Sequence, residues 1–262
     1  LIVIHDPERA PYTGPKDFHD VAVRVTRELV RLLEERTKDG FVFRCDLRLR
    51  PDPSATPLAL SFDAAETYYE SLGQNWERAA MIKARAHAGD LELGQQFLKV
   101  LRPFVWRKHL DFWAIQDVHS IKRQIYAHKG GSTVTVAGHN VKLGRGGIRE
   151  IEFYAQTQQL IWGGREPALR TPRTQDALAA LAKAGHIDAD DARALSDAYA
   201  YLRRLEHRLQ MVEDQQTQSL PEDDDGLDEI AGFMAYPDVD SFRTELLGHL
   251  HTVEDRYAAL FE

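Results

Sequence analysis

Cysteine is almost absent from this chain: Cys45 is the one such residue among 262. A disulfide framework within the chain is therefore excluded, and a reducing compartment such as the cytoplasm fits. Long apolar runs are missing as well. None approaches the ~20 residues needed to span a bilayer, and no signal peptide is visible. Eleven histidines occur without an H-E-x-x-H pattern, and a lone cysteine rules out cysteine-rich zinc sites. Neither G-x-S-x-G nor a Walker-type loop is present, so those enzyme classes drop out. No repeat of fixed period and no long heptad pattern is found. Positive charge is in deficit, 33 Lys and Arg against 41 Asp and Glu, a formal net charge of -8. That balance argues against a general nucleic-acid binder.

What remains is an ordinary globular composition, 43% hydrophobic and 28% charged, long enough for one large or two ordinary domains. The chain opens on Leu1-Ile2-Val3-Ile4, a run of buried-strand type with no methionine before it, and so reads as a piece of something longer.

The most informative stretch is Gly40 to Pro51, G-F-V-F-R-C-D-L-R-L-R-P. Its strict alternation predicts a strand with Phe41, Phe43, Cys45, Leu47 and Leu49 on a core face. The other face carries Val42, Arg44, Asp46, Arg48 and Arg50, one carboxylate among three guanidinium groups. Such a carboxylate either ligates a hard cation beside a phosphate or simply neutralises its arginine neighbours.

Taken in order, Leu1 to Ile4 predicts a strand, Asp6 to Asp17 a loop, and Phe18 to Thr37 a helix. Leu58, Leu60 and Phe62 suit a short strand. From Asp63 onward the pattern is helical: Ala64 to Leu72, Trp76 to Ala88, Leu91 to Val105, Leu110 to His128, Ile148 to Trp162, Gln175 to Ala184, Asp188 to Glu213 and Ser241 to Glu262. Gly130 to Gly147 reads as a loop or hairpin, Gly163 to Thr174 as a loop, and the acidic run Glu222 to Asp225 as a solvated loop.

Lys142 to Phe153, K-L-G-R-G-G-I-R-E-I-E-F, places glycines before a helix, an arrangement that leaves amides free for an anion. On that helix Arg149, Glu152, Gln156 and Gln159 share a side. Apolar residues on two sides predict burial, with the polar stripe facing either a cleft or a paired network. Arg102, Arg107, Lys108 and His109 form a basic run suited to phosphate or to a solvated face.

Four ordered motifs carry a resemblance that spans nearly the whole chain. F-V-F-R-C-D-L-R-L-R-P, N-W-E-R-A-A-M-I-K-A-R, R-P-F-V-W-R-K-H-L-D-F and K-L-G-R-G-G-I-R-E-I-E-F resemble bacterial glutamine synthetase adenylyltransferases. The style of R-P-F-V-W-R, G-G-I-R-E-I-E-F and G-G-R-E-P-A-L-R is similar to the half that removes adenylate. PII uridylyltransferases share the style of the helical part and fit these motifs less well.

The resemblance implies an α+β fold. A small mixed β-sheet nucleotidyltransferase domain of polymerase-beta type is expected over 1–90, truncated at its N-terminus. A helical bundle is expected over 91–262. It implies removal of adenylate from a glutamine synthetase tyrosine by inorganic phosphate, giving ADP, with Mg²⁺ as cofactor in the cytoplasm. Asp46 matches a metal-binding aspartate; the family's D-x-D motif would precede Leu1. Arg44, Arg48, Arg50, Lys83, Arg85 and Arg149 are the implied phosphate or nucleotide contacts. Glu150 and Glu152 are candidate catalytic carboxylates of unassigned role. Adenylylated glutamine synthetase and a PII signalling protein are the implied partners, with no nucleic acid and no membrane. Two alternatives stand beside this: the adenylylating half, which uses ATP, and an inactive fragment that docks glutamine synthetase or PII.

Overall fold

A computed structural model describes residues 1–108, 134–212 and 216–260. The chain divides into two compact units, Leu1–Trp106 and Arg107–Glu262.

In the first unit, β1 (Val3–His5) and β2 (Ala59–Ser61) pair in parallel, with Ile4 opposite Leu60. Helix α1 (Phe18–Glu34) starts where the Asp17 side chain accepts the His19 backbone N–H, an N-cap that supplies one missing partner of the first turn. Ser61 ends β2 and caps α2 (Phe62–Ser71) in the same way. Short α3 (Asn75–Met81), α4 (Leu91–Val100) and α5 (Arg102–Val105) follow. Tyr69, Phe97 and Phe104 pack edge-on or tilted at 5.3–6.3 Å and form the aromatic centre of the unit.

Three expectations are corrected here. Gly40 to Pro51 is not a strand. A strand needs a ladder, and these backbone groups bond locally instead. Val42 and Phe43 N–H both donate to the Leu33 carbonyl, Cys45 N–H to the Glu34 carboxylate, and Arg48 N–H to Asp46 Oδ1. The expected core face is open, with Phe43 68% and Leu49 48% exposed. The helix expected over Trp76 to Ala88 stops at Met81, where i→i+3 turns to Lys83 and Ala84 replace helical bonds. The helix over Leu91 to Val105 breaks at Leu101, because Pro103 lacks an N–H and its ring displaces the preceding turn.

The second unit is helical: α6 (Ile148–Trp162), a 3₁₀ turn (Pro167–Leu169), α7 (Thr174–Lys183), α8 (Ala189–Met211), α9 (Asp224–Phe233) and α10 (Val239–Ala259). Its core joins Ile148 and Ile151 of α6 to Leu178 and Leu181 of α7, Leu195, Leu202 and Leu205 of α8, and Leu246, Leu250 and Val253 of α10. Each fully buried leucine contributes roughly 1.5–3 kcal/mol against exposure. Asp188 and Asp238 cap α8 and α10.

The acidic run Glu222 to Asp225 is corrected as well: Asp223 caps α9 by accepting Gly226 N–H, and Asp224 and Asp225 form its first turn. Carboxylates there meet the positive helix end. The helix expected over Leu110 to His128 lies outside the described residues, as do Gly130 to 133 of the next segment. Residues 134–147 are irregular and are held by backbone bonds to 218–221, including Val141 N–H to Gln218. Among the described residues no helix is long and apolar enough to cross a membrane.

Candidate functional site

Asp46 sits on the irregular segment that follows α1, and its carboxylate is gripped by one residue. Arg48 Nε lies 3.0 and 3.1 Å from its two oxygens, Nη2 2.7 Å from Oδ2, and Arg48 N–H 2.8 Å from Oδ1. These bonds hold the Asp46 carboxyl down to about 2, so it is an anion throughout the physiological range. Both partners are mostly exposed, so the pair adds little stability. Arg44 instead lies over the Phe41 ring at 5.5 Å. Arg50 spends its guanidinium on the Leu47, Pro53 and Thr56 carbonyls at 2.8–3.4 Å, which closes the 47–56 turn. Of the three arginines, Arg48 alone bonds the carboxylate. Lys83, half-buried, and Arg85, exposed, follow α3 in the same unit.

A second group in this unit was not singled out from the sequence. Glu77 and Arg78 are 2% and 1% exposed, inside the N-W-E-R motif. Glu77 Oε2 accepts Gln74 N–H at 2.7 Å and the Tyr68 hydroxyl at 3.2 Å, while Oε1 has no hydrogen-bond partner. Burial pushes the Glu77 carboxyl up, and the Asp52 charge adds to the effect. Arg78 donates to Asn75 Oδ1 at 3.0 Å and the Val105 carbonyl at 3.1 Å, so it ties α3 to α5. An E-R pair amid Trp76, Ala79, Ala80 and Met81 was the signal available: charges in an apolar stretch must be paired when buried. Beside this group lies a cavity of about 430 Å³ lined by His19, Thr56, Leu60, Ser61, Ala64 and Tyr68, among others.

In the second unit the glycine loop is corrected: it does not offer free amides to an anion. Gly144 N–H is taken by Asn140 O, Gly147 by Gly144 O, Ile148 by Val141 O, Arg149 by Lys142 O and Glu150 by Gly147 O. Gly146 N–H donates to Glu150 Oε2 at 2.8 Å. The anion for this helix end is built in, and it is the buried Glu150 carboxylate. Gly146 has φ +70°, and a Cβ there would fall on the Leu250 carbonyl, so glycine lets the loop lie against α10.

One turn along α6, Glu152 pairs with Arg149 at 3.5 Å and accepts the Tyr199 hydroxyl of α8 at 3.3 Å. Gln159 Nε2 donates to the Leu169 and Thr171 carbonyls at 2.6 and 2.8 Å and clamps the loop after α6. The polar stripe thus makes a paired network. The nine candidate residues fall in two sets: Arg44, Asp46, Arg48, Arg50, Lys83 and Arg85 in the first unit, and Arg149, Glu150 and Glu152 in the second. The basic run loses His109 to the residues outside the description. Among the described residues no group of three or more His, Cys, Asp or Glu side chains is placed to hold a metal ion.

Comparison with known proteins adds to this geometry. Residues 1–100 match the family model of glutamate-ammonia ligase adenylyltransferase, and residues 119–261 match that of GlnD PII-uridylyltransferase. Over all 262 residues the chain is 58% identical to the bifunctional glutamine synthetase adenylyltransferase/adenylyl-removing enzyme of Rhizobium meliloti. It is 56% identical to the enzymes of the same name from Mesorhizobium japonicum and Agrobacterium fabrum, again over its whole length. The chain belongs to the glutamine synthetase adenylyltransferase family. It spans 27% of the length of the Rhizobium meliloti relative. Within the family chain, the first model ends where α4 ends, and the second covers the helical unit from 119 on.

Proposed function

We propose that this chain serves the adenylyl-removing reaction on glutamine synthetase as part of a longer bacterial enzyme. In that reaction an oxygen of inorganic phosphate bonds to the adenylyl phosphorus. The phosphorus–oxygen bond to the tyrosine breaks, its electron pair leaves on the phenolate, and the phenolate takes up a proton. ADP and free tyrosine result. Support comes from the full-length match to enzymes named for both activities, and from the motifs R-P-F-V-W-R and G-G-R-E-P-A-L-R.

The observation that carries the reading is the Asp46–Arg48 pair. A carboxylate held near 2 stays anionic at working pH, and its guanidinium partner is 86% exposed, with a fork geometry that suits phosphate oxygens. Arg44, Arg50, Lys83 and Arg85 add positive charge in the same unit.

Mg²⁺ belongs to the chemistry the resemblance implies, but the described residues alone do not fit its site. Both Asp46 oxygens are bonded to Arg48, and among the described residues no group of three or more His, Cys, Asp or Glu side chains is placed to hold a metal ion. A second reading follows from the same observation. Taken alone, the chain is a docking portion for glutamine synthetase or a PII signalling protein.

The test places this chain in the Rhizobium meliloti relative in exchange for its matched 262 residues. Phosphate-dependent ADP release from adenylylated glutamine synthetase, abolished by Asp46→Asn, supports the first reading. Binding of glutamine synthetase or PII by the chain, with Asp46→Asn leaving ADP release unchanged, supports the second.

A further inference from the structure

The side chains around the start of α6 form a charged seam that the Asp46 chemistry does not use. Its centre is Glu206 of α8, whose side chain is 2% exposed. Lys142 Nζ approaches its Oε1 at 3.4 Å and Arg203 Nη1 its Oε2 at 2.5 Å. A buried carboxylate needs such partners, since an unpaired one would cost several kcal/mol. The arrangement also fixes the cations. Two long side chains, each about one-third exposed, are pinned to opposite oxygens of one rigid anchor. Arg203 Nη2 further contacts His207 Nε2 at 3.3 Å.

A third cation is linked to them through the backbone and through Glu152. Arg149 N–H is bonded to the Lys142 carbonyl at 3.0 Å, so the two residues are neighbours across the loop. The Arg149 side chain, half exposed, pairs with Glu152. Glu152 in turn accepts from Tyr199, one helical turn before Arg203 on α8. Three cations, Lys142, Arg149 and Arg203, thus meet two carboxylates, Glu152 and Glu206, and the five groups sum to one positive charge. The loop amides of Lys142, Leu143, Gly144, Gly146 and Gly147 are spent internally, so anion binding here falls to the side chains. Lys142 meets Glu206 through one of three ammonium donors, and Arg203 uses Nη1 on Glu206 and Nη2 on His207, so each keeps further N–H donors.

We propose that Lys142, Arg149 and Arg203 form a cradle for a phosphoryl dianion, with Glu206 as the residue that positions Lys142 and Arg203. A guanidinium fork and an ammonium held at fixed spacing suit three phosphoryl oxygens, and fixing them beforehand lowers the cost of binding. The ligand is inorganic phosphate or the terminal phosphate of a nucleotide. The proposal rests on the second unit alone and holds whether or not the chain serves adenylate removal.

The test titrates the 262-residue chain calorimetrically with inorganic phosphate, ADP and adenosine, and repeats the titrations on Lys142→Gln, Arg203→Gln and Arg193→Gln. Saturable binding of phosphate or ADP but not adenosine is expected. Lys142→Gln and Arg203→Gln should each weaken it about tenfold, the loss of one charge-assisted hydrogen bond. Arg193→Gln, at an exposed α8 residue paired only with Asp190, should leave it unchanged. Phosphate binding identifies the free anion as a ligand; binding of ADP alone, lost in both seam variants, assigns the nucleotide. Should Arg203→Gln fail to fold, Lys142→Gln leaves Glu206 paired with Arg203 and decides the question. No binding of either anion, unchanged affinity in the seam variants, or an equal loss in Arg193→Gln overturns the proposal.

Discussion

Glu150 Oε2 accepts the backbone N–H of Gly146 at 2.8 Å, four residues before it and just outside the helix that Glu150 helps to start. This one bond turns a glycine loop with the outward form of an anion site into a closed structural element. Replacing Glu150 by Ala strips a buried N–H of its acceptor. The cost expected is about 1–3 kcal/mol, read as a lower midpoint in urea unfolding at unchanged slope. Gly146→Ala should destabilise by a comparable or larger amount, because it demands φ +70° of a residue with a Cβ directed at the Leu250 carbonyl. A neutral outcome for both would show that the loop does not rest on α10.

Glu77 makes stability fall as pH rises. Its folded carboxyl is raised by burial above the unfolded value, so between the two values the folded state binds more protons than the unfolded one. Stability is full below the unfolded value and declines as pH climbs towards the folded one. Glu77→Gln keeps an oxygen for Gln74 N–H and Tyr68 and removes the titration. Urea unfolding from pH 4 upward should show a decline for the parent chain that flattens in the variant. Parallel profiles would contradict the assignment.

Asp46 and Arg48 give the opposite direction on a smaller scale. The Arg48 bonds hold the Asp46 carboxyl at about 2, so Arg48→Gln should raise it towards the ordinary carboxylate range. A carboxyl-carbon NMR titration reads this directly. Global stability should barely change, since the pair is exposed.

Gln159 should matter more than an amide on a helix commonly does. Its Nε2 serves both the Leu169 and Thr171 carbonyls, so Gln159→Leu leaves two acceptors without that donor. We expect a loss of about 1–3 kcal/mol and faster limited proteolysis between 163 and 174.

The helical second unit was largely legible in the sequence, because its long helices carry a 3.6-residue period and Asp188 marks the start of α8; the start of α10 was placed at Ser241, past its cap at Asp238. Helix α9 was hidden because its acidic first turn has the composition of a solvated loop; the cap at Asp223 was the available signal. The 41–50 segment misled in the other direction. Alternation specifies which faces a strand would show, but a ladder partner is needed to make one, and Leu33, Glu34 and Asp46 supply the acceptors instead. In the Lys142–Glu206–Arg203 seam, Arg203 and Glu206 are a local i,i+3 pair, but Lys142 lies more than sixty positions away, so no local pattern brings it to them.

The central claim is that this chain serves removal of adenylate by phosphate. The most direct measurement is nucleotide product formed on adenylylated glutamine synthetase by the Rhizobium meliloti relative carrying this chain in place of its matched segment. ADP that appears only with added phosphate, and disappears with Asp46→Asn, is the predicted result. AMP transfer from ATP to unmodified glutamine synthetase that disappears with Asp46→Asn, while phosphate-dependent ADP release persists, would contradict it and assign the chain to the adenylylating reaction.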